Sequence, residues 1–137
     1  MIKAITLVLG ASLKPSKYSN KAVRRLTATQ IPVLAVGLKS GCIDDTPVIS
    51  FKEAYVQFDK EIEIASPSID TISLYLSPKH QESYIDLILD INPRRVIFNP
   101  GTENLKLTSI LQEHGIFSEI ACTLVLLATN QYETHES

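Results

Sequence analysis

The apolar run Ile5–Leu9 ends at three small residues, Gly10-Ala11-Ser12, and a helical pattern follows from about Asn20. An apolar run of this length with a tight turn behind it is typical of a buried parallel strand. A strand, a small-residue turn and the start of a helix together form an anion site, because the first turn of a helix presents unpaired backbone N–H groups. We therefore expect an α/β fold in which this turn faces an anionic ligand.

The charge of the first part of the chain supports an anionic ligand. Residues 1–43 contain seven Lys or Arg and no Asp or Glu, and all fifteen acidic residues lie at Asp44 or later. Most of the basic residues surround the turn in sequence: Lys14, Lys17, Lys21, Arg24, Arg25 and Lys39. The alternative interpretation is a solvated basic face on the first helix, which composition alone often produces.

The end of the second predicted strand, residues 33–36, indicates which anion would suit the site. NAD sites usually place Asp or Glu there to bind the ribose hydroxyls, whereas this chain has Gly37 and then Lys39. Ser12 and Pro15 also stand where the dinucleotide-binding fingerprint has its second and third glycines. These residues disfavour NAD and favour a ligand with an additional phosphate on the adenosine ribose, such as CoA or NADP.

Length and composition predict an ordinary globular chain. With 137 residues, 45% of them hydrophobic and 20% charged, we expect one domain over residues 1–137, with a loose polar tail at 131–137. A pI near 5.9 argues against nucleic acid as a partner. No apolar run is long enough to span a membrane, and the chain enters a strand directly after Met1. We therefore expect a cytoplasmic protein with neither a membrane partner nor a signal peptide.

Strands alternate with helices along the sequence, which predicts a three-layer α/β domain. We expect a mainly parallel sheet of five or six strands with helices on both faces. The predicted helices cover about 20–29, a segment that starts at Ser77-Pro78 and ends at Asn92, and about 103–114. Residues 41–47 are predicted to form a turn, 51–68 edge β structure or an irregular helix, and 121–129 either a strand or a helix.

In a parallel sheet, ligands bind where the carboxyl ends of the strands meet a crossover switch. The loops expected at that edge are rich in small, turn-forming residues that let a ligand approach the backbone. They carry Gly10-Ala11-Ser12, Gly37-Leu38-Lys39, Ser77-Pro78 and Asn99-Pro100-Gly101.

Several of these motifs, in this order, resemble a known family. The motifs are Gly10-Ala11-Ser12, Lys14-Pro15, Tyr18-Ser19, the run from Asn99 to Asn104 and the run from Ala121 to Val125. The chain resembles the small stand-alone CoA-binding-domain proteins of bacteria, which are similar to the CoA-binding domain of the succinyl-CoA synthetase α subunit. The resemblance implies a Rossmann-like domain that binds CoA or an acyl-CoA across the carboxyl edge of its sheet. Nothing in the chain corresponds to the ligase domain or the phosphorylated histidine of that enzyme.

The resemblance also implies a role for each loop. Phosphate contacts would come from Gly10, Ala11, Ser12, Ser19 and Asn20, with Lys14 beside them. Contacts to the adenosine end would come from Val36, Gly37 and Lys39. The pantetheine path would be lined by Ser77, Pro78, Asn99, Pro100 and Gly101. The chain departs from the family pattern at Gly37-Leu38, where relatives often have Asn-Pro, and in the length of residues 51–68.

Candidate catalytic groups have alternative interpretations. Cys122 could face a CoA thiol, or it could be a buried small hydrophobe. Glu103 could act as a base on an acyl group, or it could complement a helix dipole. Asn99 could donate to a thioester carbonyl, or it could serve only the turn before Pro-Gly. Scattered histidines give no metal-site spacing, Ser12 lacks a nucleophile-elbow motif, and His80 is expected to face solvent.

The leading hypothesis is therefore a module that binds CoA or an acyl-CoA, with no catalysis evident. The alternative hypotheses are an NADP-dependent oxidoreductase and a regulatory nucleotide-binding protein. All three predict a small-molecule nucleotide ligand, and the protein partner is left open.

Overall fold

The computed structural model describes residues 4–53 and 69–133. Seven strands form one sheet in the order β3-β4-β2-β1-β5-β6-β7. The strands are β1 (Ile5–Leu9), β2 (Val33–Gly37), β3 (Gly41–Ile43), β4 (Thr46–Ser50), β5 (Ile69–Leu74), β6 (Arg95–Phe98) and β7 (Phe117–Ile120). The helices are α1 (Tyr18–Ala28), α2 (Pro78–Gln81), α3 (Ile85–Ile91), α4 (Leu105–Glu113) and α5 (Thr123–Ala128), with a 3-10 turn at Glu82–Tyr84 between α2 and α3. Residues 51–53 are helical as well.

Helices cover both faces of the sheet, as the alternating pattern predicts. Leu7 and Leu9 of β1 belong to one buried cluster, together with Leu87 of α3 and Leu107 of α4. Val8 points to the other face, because successive side chains of a strand alternate. There it joins a second buried cluster with residues of α1 and α5, namely Val23, Leu26, Leu126 and Leu127. The fold is thus a three-layer, Rossmann-like α/β arrangement.

The chain changes direction across the sheet at β1, which fixes where a ligand can enter. β1 pairs in parallel with β2 on one side and with β5 on the other. The crossover from β1 to β2 runs to one side of the sheet, and β5 starts the other half. Loops that leave the carboxyl ends of β1, β2 and β5 therefore diverge from one another and open a crevice between them.

The sheet has seven strands, one more than the larger of the two predicted numbers, five or six. Residues 41–47, predicted as a turn, contain β3, which pairs antiparallel with β4 in a tight hairpin. The three residues of β3 carry no periodic signal, since Gly41 and Cys42 are exposed and only Ile43 is buried. Of the uncertain stretch 51–68, only residues 51–53 are described, and residues 54–68 lie outside the described residues.

Helix boundaries differ from the prediction in three places. α1 begins at Tyr18, two residues before the predicted start, so that Ser19 lies inside the helix. The predicted helix from Ser77 to Asn92 is divided by the 3-10 turn, and Asn92 ends it in a left-handed conformation. Residues 123–128, which the sequence leaves open between strand and helix, form α5.

The predicted loose tail is anchored at its start. Tyr132 is buried, and its hydroxyl lies 2.6 Å from the Thr6 hydroxyl of β1. The guanidinium of Arg95 stacks on the Tyr132 ring at 4.5 Å. These contacts correct the prediction at Tyr132, while residues 134–137 lie outside the described residues. No helix within 4–53 or 69–133 is long and apolar enough to cross a membrane.

Candidate functional site

A cleft of about 540 Å³ lies at the carboxyl edge of the sheet, at the point where the chain reverses. It is formed by the loops that follow β1, β2 and β5, together with Phe51 just after β4. The lining residues are Gly10, Ala11, Ser12, Leu13, Lys14, Lys17, Leu38, Lys39, Phe51, Tyr75, Leu76, Ser77 and His80. Six of the fourteen residues that the sequence nominates for binding are in this lining. The other eight are not: Ser19, Asn20, Val36, Gly37, Pro78, Asn99, Pro100 and Gly101.

Backbone amides of the first turn are already used within the protein. The N–H groups of Gly10 and Ala11 both donate to the Val36 carbonyl, each at 2.8 Å. The N–H of Ser12 donates to the Ser19 hydroxyl at 3.0 Å. A phosphate at this turn must therefore be met mainly by side chains and by the start of α1, and less by the turn's own amides.

Ser19 and Asn20 brace the turn from beneath. Ser19 accepts from Ser12, and the Asn20 side-chain amide donates to the Ser12 carbonyl at 2.9 Å. Arg24, one turn further along α1, donates to the Asn20 side-chain oxygen at 2.8 Å and to the Pro15 carbonyl at 2.9 Å. Since both Ser19 and Asn20 are buried, their part in any site is to hold the turn in place.

The start of α1 retains the electrostatic character of an anion site. Its N-cap residue is Lys17, no side chain caps the helix, and the first turn contains no acidic residue. A helix with an uncapped N-terminus presents partial positive charge there. Lys14 and Lys17 add full charges at the same end, and Lys39 adds a third from the loop after β2.

Carboxylates are absent from the cleft, as far as the described residues define it. Within the same residues, Lys14, Lys17 and Lys39 form no ion pair, whereas Lys106 pairs with Glu82 at 2.9 Å on the surface. Unpaired cations around an acid-free cleft produce a positive potential that attracts anions. The predicted concentration of positive charge at this edge is therefore present in the fold.

Glycines allow the cleft floor to close tightly. Gly10 has a φ of 104°, and a Cβ there would lie 3.0 Å from the Tyr75 backbone carbon. A Cβ on Gly37 would lie 2.0 Å from the Ala11 carbonyl oxygen, closer than any real contact. Gly37 therefore permits the end of β2 to pack directly against the turn after β1, below the surface that a ligand would touch.

The loop after β5 forms the opposite wall. Tyr75 and Leu76 follow the strand, and Ser77 precedes α2 with Pro78 as the first helical residue. The Ser77 side chain does not cap α2 but lies 2.9 Å from Nδ1 of His80, which is exposed as predicted. The Tyr75 hydroxyl is buried behind this wall, and burial raises the pKa of the phenol to about 12.

Asn99 lies away from the cleft and holds three elements together. Its side-chain amide donates to the Ser73 hydroxyl at 3.0 Å and to the Leu74 carbonyl at 2.9 Å, at the end of β5. Its side-chain oxygen accepts from the Thr123 N–H at 2.9 Å, at the start of α5. Both amide hydrogens are engaged in a fully buried position, which favours the structural interpretation of Asn99 over a donor to a thioester carbonyl.

The other two catalytic candidates are also outside the cleft lining. Glu103 precedes α4 rather than starting it, and its carboxylate accepts from the Gly101 N–H at 2.8 Å. Asn104 is the residue that caps α4, through a bond from the Leu107 N–H. Cys122 is half-buried at the N-cap position of α5. Neither Glu103 nor Cys122 is among the residues that line this cleft.

Several lining residues were not nominated from the sequence. Among them, Leu38 is 85% exposed beside Lys39, and Phe51 and Leu13 add further apolar surface. Leu13 is a direct neighbour of the nominated Ser12, and Leu38 lies between the nominated Gly37 and Lys39. Phe51 begins the stretch 51–68, whose structure the sequence leaves open, and no local pattern marks it as part of a site.

Comparison with solved structures agrees with the fold. A solved structure of an uncharacterized protein is 35% identical and has a TM-score of 0.79, with 96% of this chain and 99% of the other covered. A Thermus thermophilus structure, cell-free ID.343, is 17% identical with a TM-score of 0.76, covering 94% of this chain and 90% of the other. A conserved hypothetical protein from Pyrococcus furiosus is 22% identical with a TM-score of 0.70, covering 90% of this chain and 98% of the other. The last two show likeness of fold alone.

No protein with a curated function matches the sequence. The family model described as "CoA binding domain" matches residues 5–128, which includes every strand and helix given above. This match agrees with the order of the loop motifs. It also agrees with the mainly parallel sheet, whose chain direction switches at β1. The chain belongs to the CoA binding domain family.

Proposed function

We propose that the protein binds CoA or an acyl-CoA in the cleft at the carboxyl edge of the sheet. The observation that carries this proposal is the coincidence of three features in one place. The cleft lies at the switch point of the sheet, three unpaired lysines line it, and no carboxylate lines its described part. Switch-point crevices are where open α/β sheets bind nucleotides, and the charge selects an anionic one.

The lining residues suit the separate parts of CoA. Lys14, Lys17 and the uncapped start of α1 match a diphosphate, which carries its negative charge at one end of the pantetheine chain. Lys39 lies on the next loop and suits the phosphate on the adenosine ribose. The apolar side chains of Leu13, Leu38 and Phe51 offer surface to an adenine ring or an alkyl chain.

NADP is a second candidate, because Lys39 would suit its ribose phosphate equally well. Isothermal titration of the purified protein with CoA, dephospho-CoA, NADP and NAD distinguishes the candidates. We expect CoA to bind most tightly, dephospho-CoA more weakly and NAD least. Tighter binding of NADP than of CoA would favour the nucleotide-dependent oxidoreductase instead.

A regulatory protein that binds some other nucleotide is the remaining alternative. Native mass spectrometry of freshly purified protein tests it, because a ligand retained from the cell appears as a mass addition. An addition that corresponds to CoA or an acyl-CoA supports the proposal and would identify the acyl group. Absence of CoA binding in both experiments would overturn it.

A further inference from the structure

Ser77 and His80 form a hydrogen-bonded pair on the wall of the cleft. The Ser77 hydroxyl lies 2.9 Å from Nδ1 of His80, and both side chains are exposed to the space that the lysines line. The backbone N–H of His80 also donates to the Ser77 carbonyl at 2.9 Å, so the two residues are held in register. Neither side chain is needed to cap a helix or to fill the core.

The groups around this pair make its charge state matter to a ligand. Facing it across the cleft are Lys14 and Lys17 from the turn after β1 and Lys39 from the loop after β2. Tyr75 lies on the same wall and is neutral, because burial raises its pKa to about 12. Charged residues next to the lining residues in sequence are exposed and outside the lining: Lys79 and Glu82 near His80, and Lys52 and Glu53 after Phe51. Within the described residues, His80 is thus the one cleft group whose residue type changes charge between pH 5 and 8.

We propose that His80 and Ser77 couple ligand binding to protonation, so that the cleft holds its phosphate-bearing ligand more tightly when His80 is an imidazolium. This inference rests on the proposed function, since it assigns a pH-dependent contact to the same site. It adds His80, which no family motif in the chain marks, to the residues that determine affinity.

Two effects of protonation act in the same direction. An imidazolium adds a fourth positive charge to a cleft whose ligand is anionic. It also changes the direction of the hydrogen bond to Ser77, because Nδ1 of an imidazolium can only donate. In the neutral form with Nδ1 unprotonated, the Ser77 hydroxyl must donate to the ring and cannot donate elsewhere. Protonation releases the Ser77 O–H to donate to a ligand oxygen.

The sign of the pH dependence follows from these two effects. The contribution of His80 to affinity is present when its ring is an imidazolium and is lost as the pH rises and the ring becomes neutral. A tenfold preference of the ligand for the protonated form would weaken binding by up to about tenfold once the ring is neutral. Where the ring is neutral in the free protein, binding would take up protons from the buffer.

Calorimetric titration with CoA measures both the dissociation constant and the number of protons taken up on binding. Wild type and His80→Gln are titrated at pH 5.5, 7.0 and 8.5, and the pH 7.0 series is repeated in buffers of different ionisation enthalpy to count protons. The 3′-phosphate of CoA titrates at about pH 6 itself. That contribution is common to both proteins, so the difference between them isolates His80.

Matched variants separate charge from position. His114→Gln is the control, because His114 is also exposed and its ring also makes a single local bond, at 2.9 Å from the Ile110 carbonyl at the far end of α4. We expect His114→Gln to keep the wild-type pH dependence of CoA binding. His80→Gln should keep only the pH dependence that comes from the phosphate of the ligand itself. Ser77→Ala should show a smaller pH dependence than wild type, since it keeps the charge but loses the hydroxyl.

The possible outcomes distinguish this inference from the proposed function. If CoA binds with the same pH dependence and the same proton uptake in wild type and His80→Gln, the coupling is wrong while the CoA site stands. If Ser77→Ala has the wild-type pH dependence, the hydroxyl has no part in it. If wild type does not bind CoA at any of the three pH values, both proposals are overturned.

Discussion

At the residue scale, side chains rather than backbone amides make the cleft suitable for phosphate. The amides of Gly10 and Ala11 are bonded to Val36, and the amide of Ser12 is bonded to Ser19. This differs from glycine-rich loops in which free backbone N–H groups surround the phosphates. Selectivity then depends on where each lysine lies, and single lysine substitutions can test it.

In the proposed CoA site, Lys39 is the lysine expected to distinguish CoA from dephospho-CoA. We expect Lys39→Ala to weaken CoA binding by about 1–3 kcal/mol, the usual value of a charge-assisted phosphate contact, and to affect dephospho-CoA much less. Isothermal titration of both ligands measures the difference. Lys106→Ala, which removes an exposed lysine outside the cleft, should leave both affinities unchanged. Equal losses for the two ligands would assign the ribose phosphate to Lys14 or Lys17.

At the element scale, the cleft depends on close packing between the ends of neighbouring strands. The end of β2 contacts the turn after β1 through Gly37, and the end of β5 is tied to α5 through Asn99. Both contacts involve residues that the family resemblance nominates for ligand binding. Gly37 and Asn99 both contact other parts of the protein, so their substitution should act first on stability.

Gly37→Ala should destabilise the protein by more than about 3 kcal/mol, since the new Cβ would overlap the Ala11 carbonyl oxygen of a fixed backbone. Gly101→Ala is the matched control. Gly101 has a φ of 90° but nothing within 4 Å of its added Cβ, so only backbone strain of about 1–2 kcal/mol is expected. Urea unfolding of both variants measures the two costs. A smaller loss for Gly37→Ala than for Gly101→Ala would show that the turn after β1 can move aside.

Asn99→Leu should cost about 2–4 kcal/mol, because it leaves the Leu74 carbonyl and the Thr123 N–H buried without their partner. Hydrogen exchange of the Thr123 amide should accelerate in the same variant, since that N–H loses its acceptor. A variant of wild-type stability would contradict the structural role assigned to Asn99.

At the scale of the whole molecule, buried phenols tie the stability of the fold to alkaline pH. Burial raises the pKa of Tyr75 to about 12, and burial also raises the pKa of Tyr132, whose ring covers Arg95 and whose hydroxyl contacts β1. The folded protein therefore keeps these groups neutral at a pH where the unfolded chain ionises them. Stability should be fully present below about pH 10 and should fall as the pH rises towards 12.

For Tyr75 alone the loss should reach roughly 2 kcal/mol across that range. Chemical denaturation at several pH values between 9 and 11.5 measures it, and Tyr75→Phe should reduce the decline. Tyr18, which is 69% exposed, provides the control, because Tyr18→Phe removes a phenol that folding does not bury. An equal decline in wild type and Tyr75→Phe would show that other groups determine the alkaline limit.

The sequence by itself determined the layered α/β fold and the edge of the sheet where the cleft lies. Apolar runs such as Ile5–Leu9, helical stripes and the turn at Gly10 are local signals, because strand and helix periodicity and turn chemistry depend on neighbouring residues. The basic first segment is likewise visible without a structure. From these signals Lys14, Lys39 and Ser77 were placed in loops that do line the cleft.

Only the tertiary structure decided which of the nominated residues face the cleft and which support it. Ser19, Asn20 and Asn99 have the same polar side chains that a ligand site would use, and their hydrogen bonds are instead made to other parts of the chain. Those partners are up to 26 residues away in sequence. A polar residue in a loop can bond to a ligand or to a neighbouring element, and the choice depends on distances across the sheet that no local pattern contains.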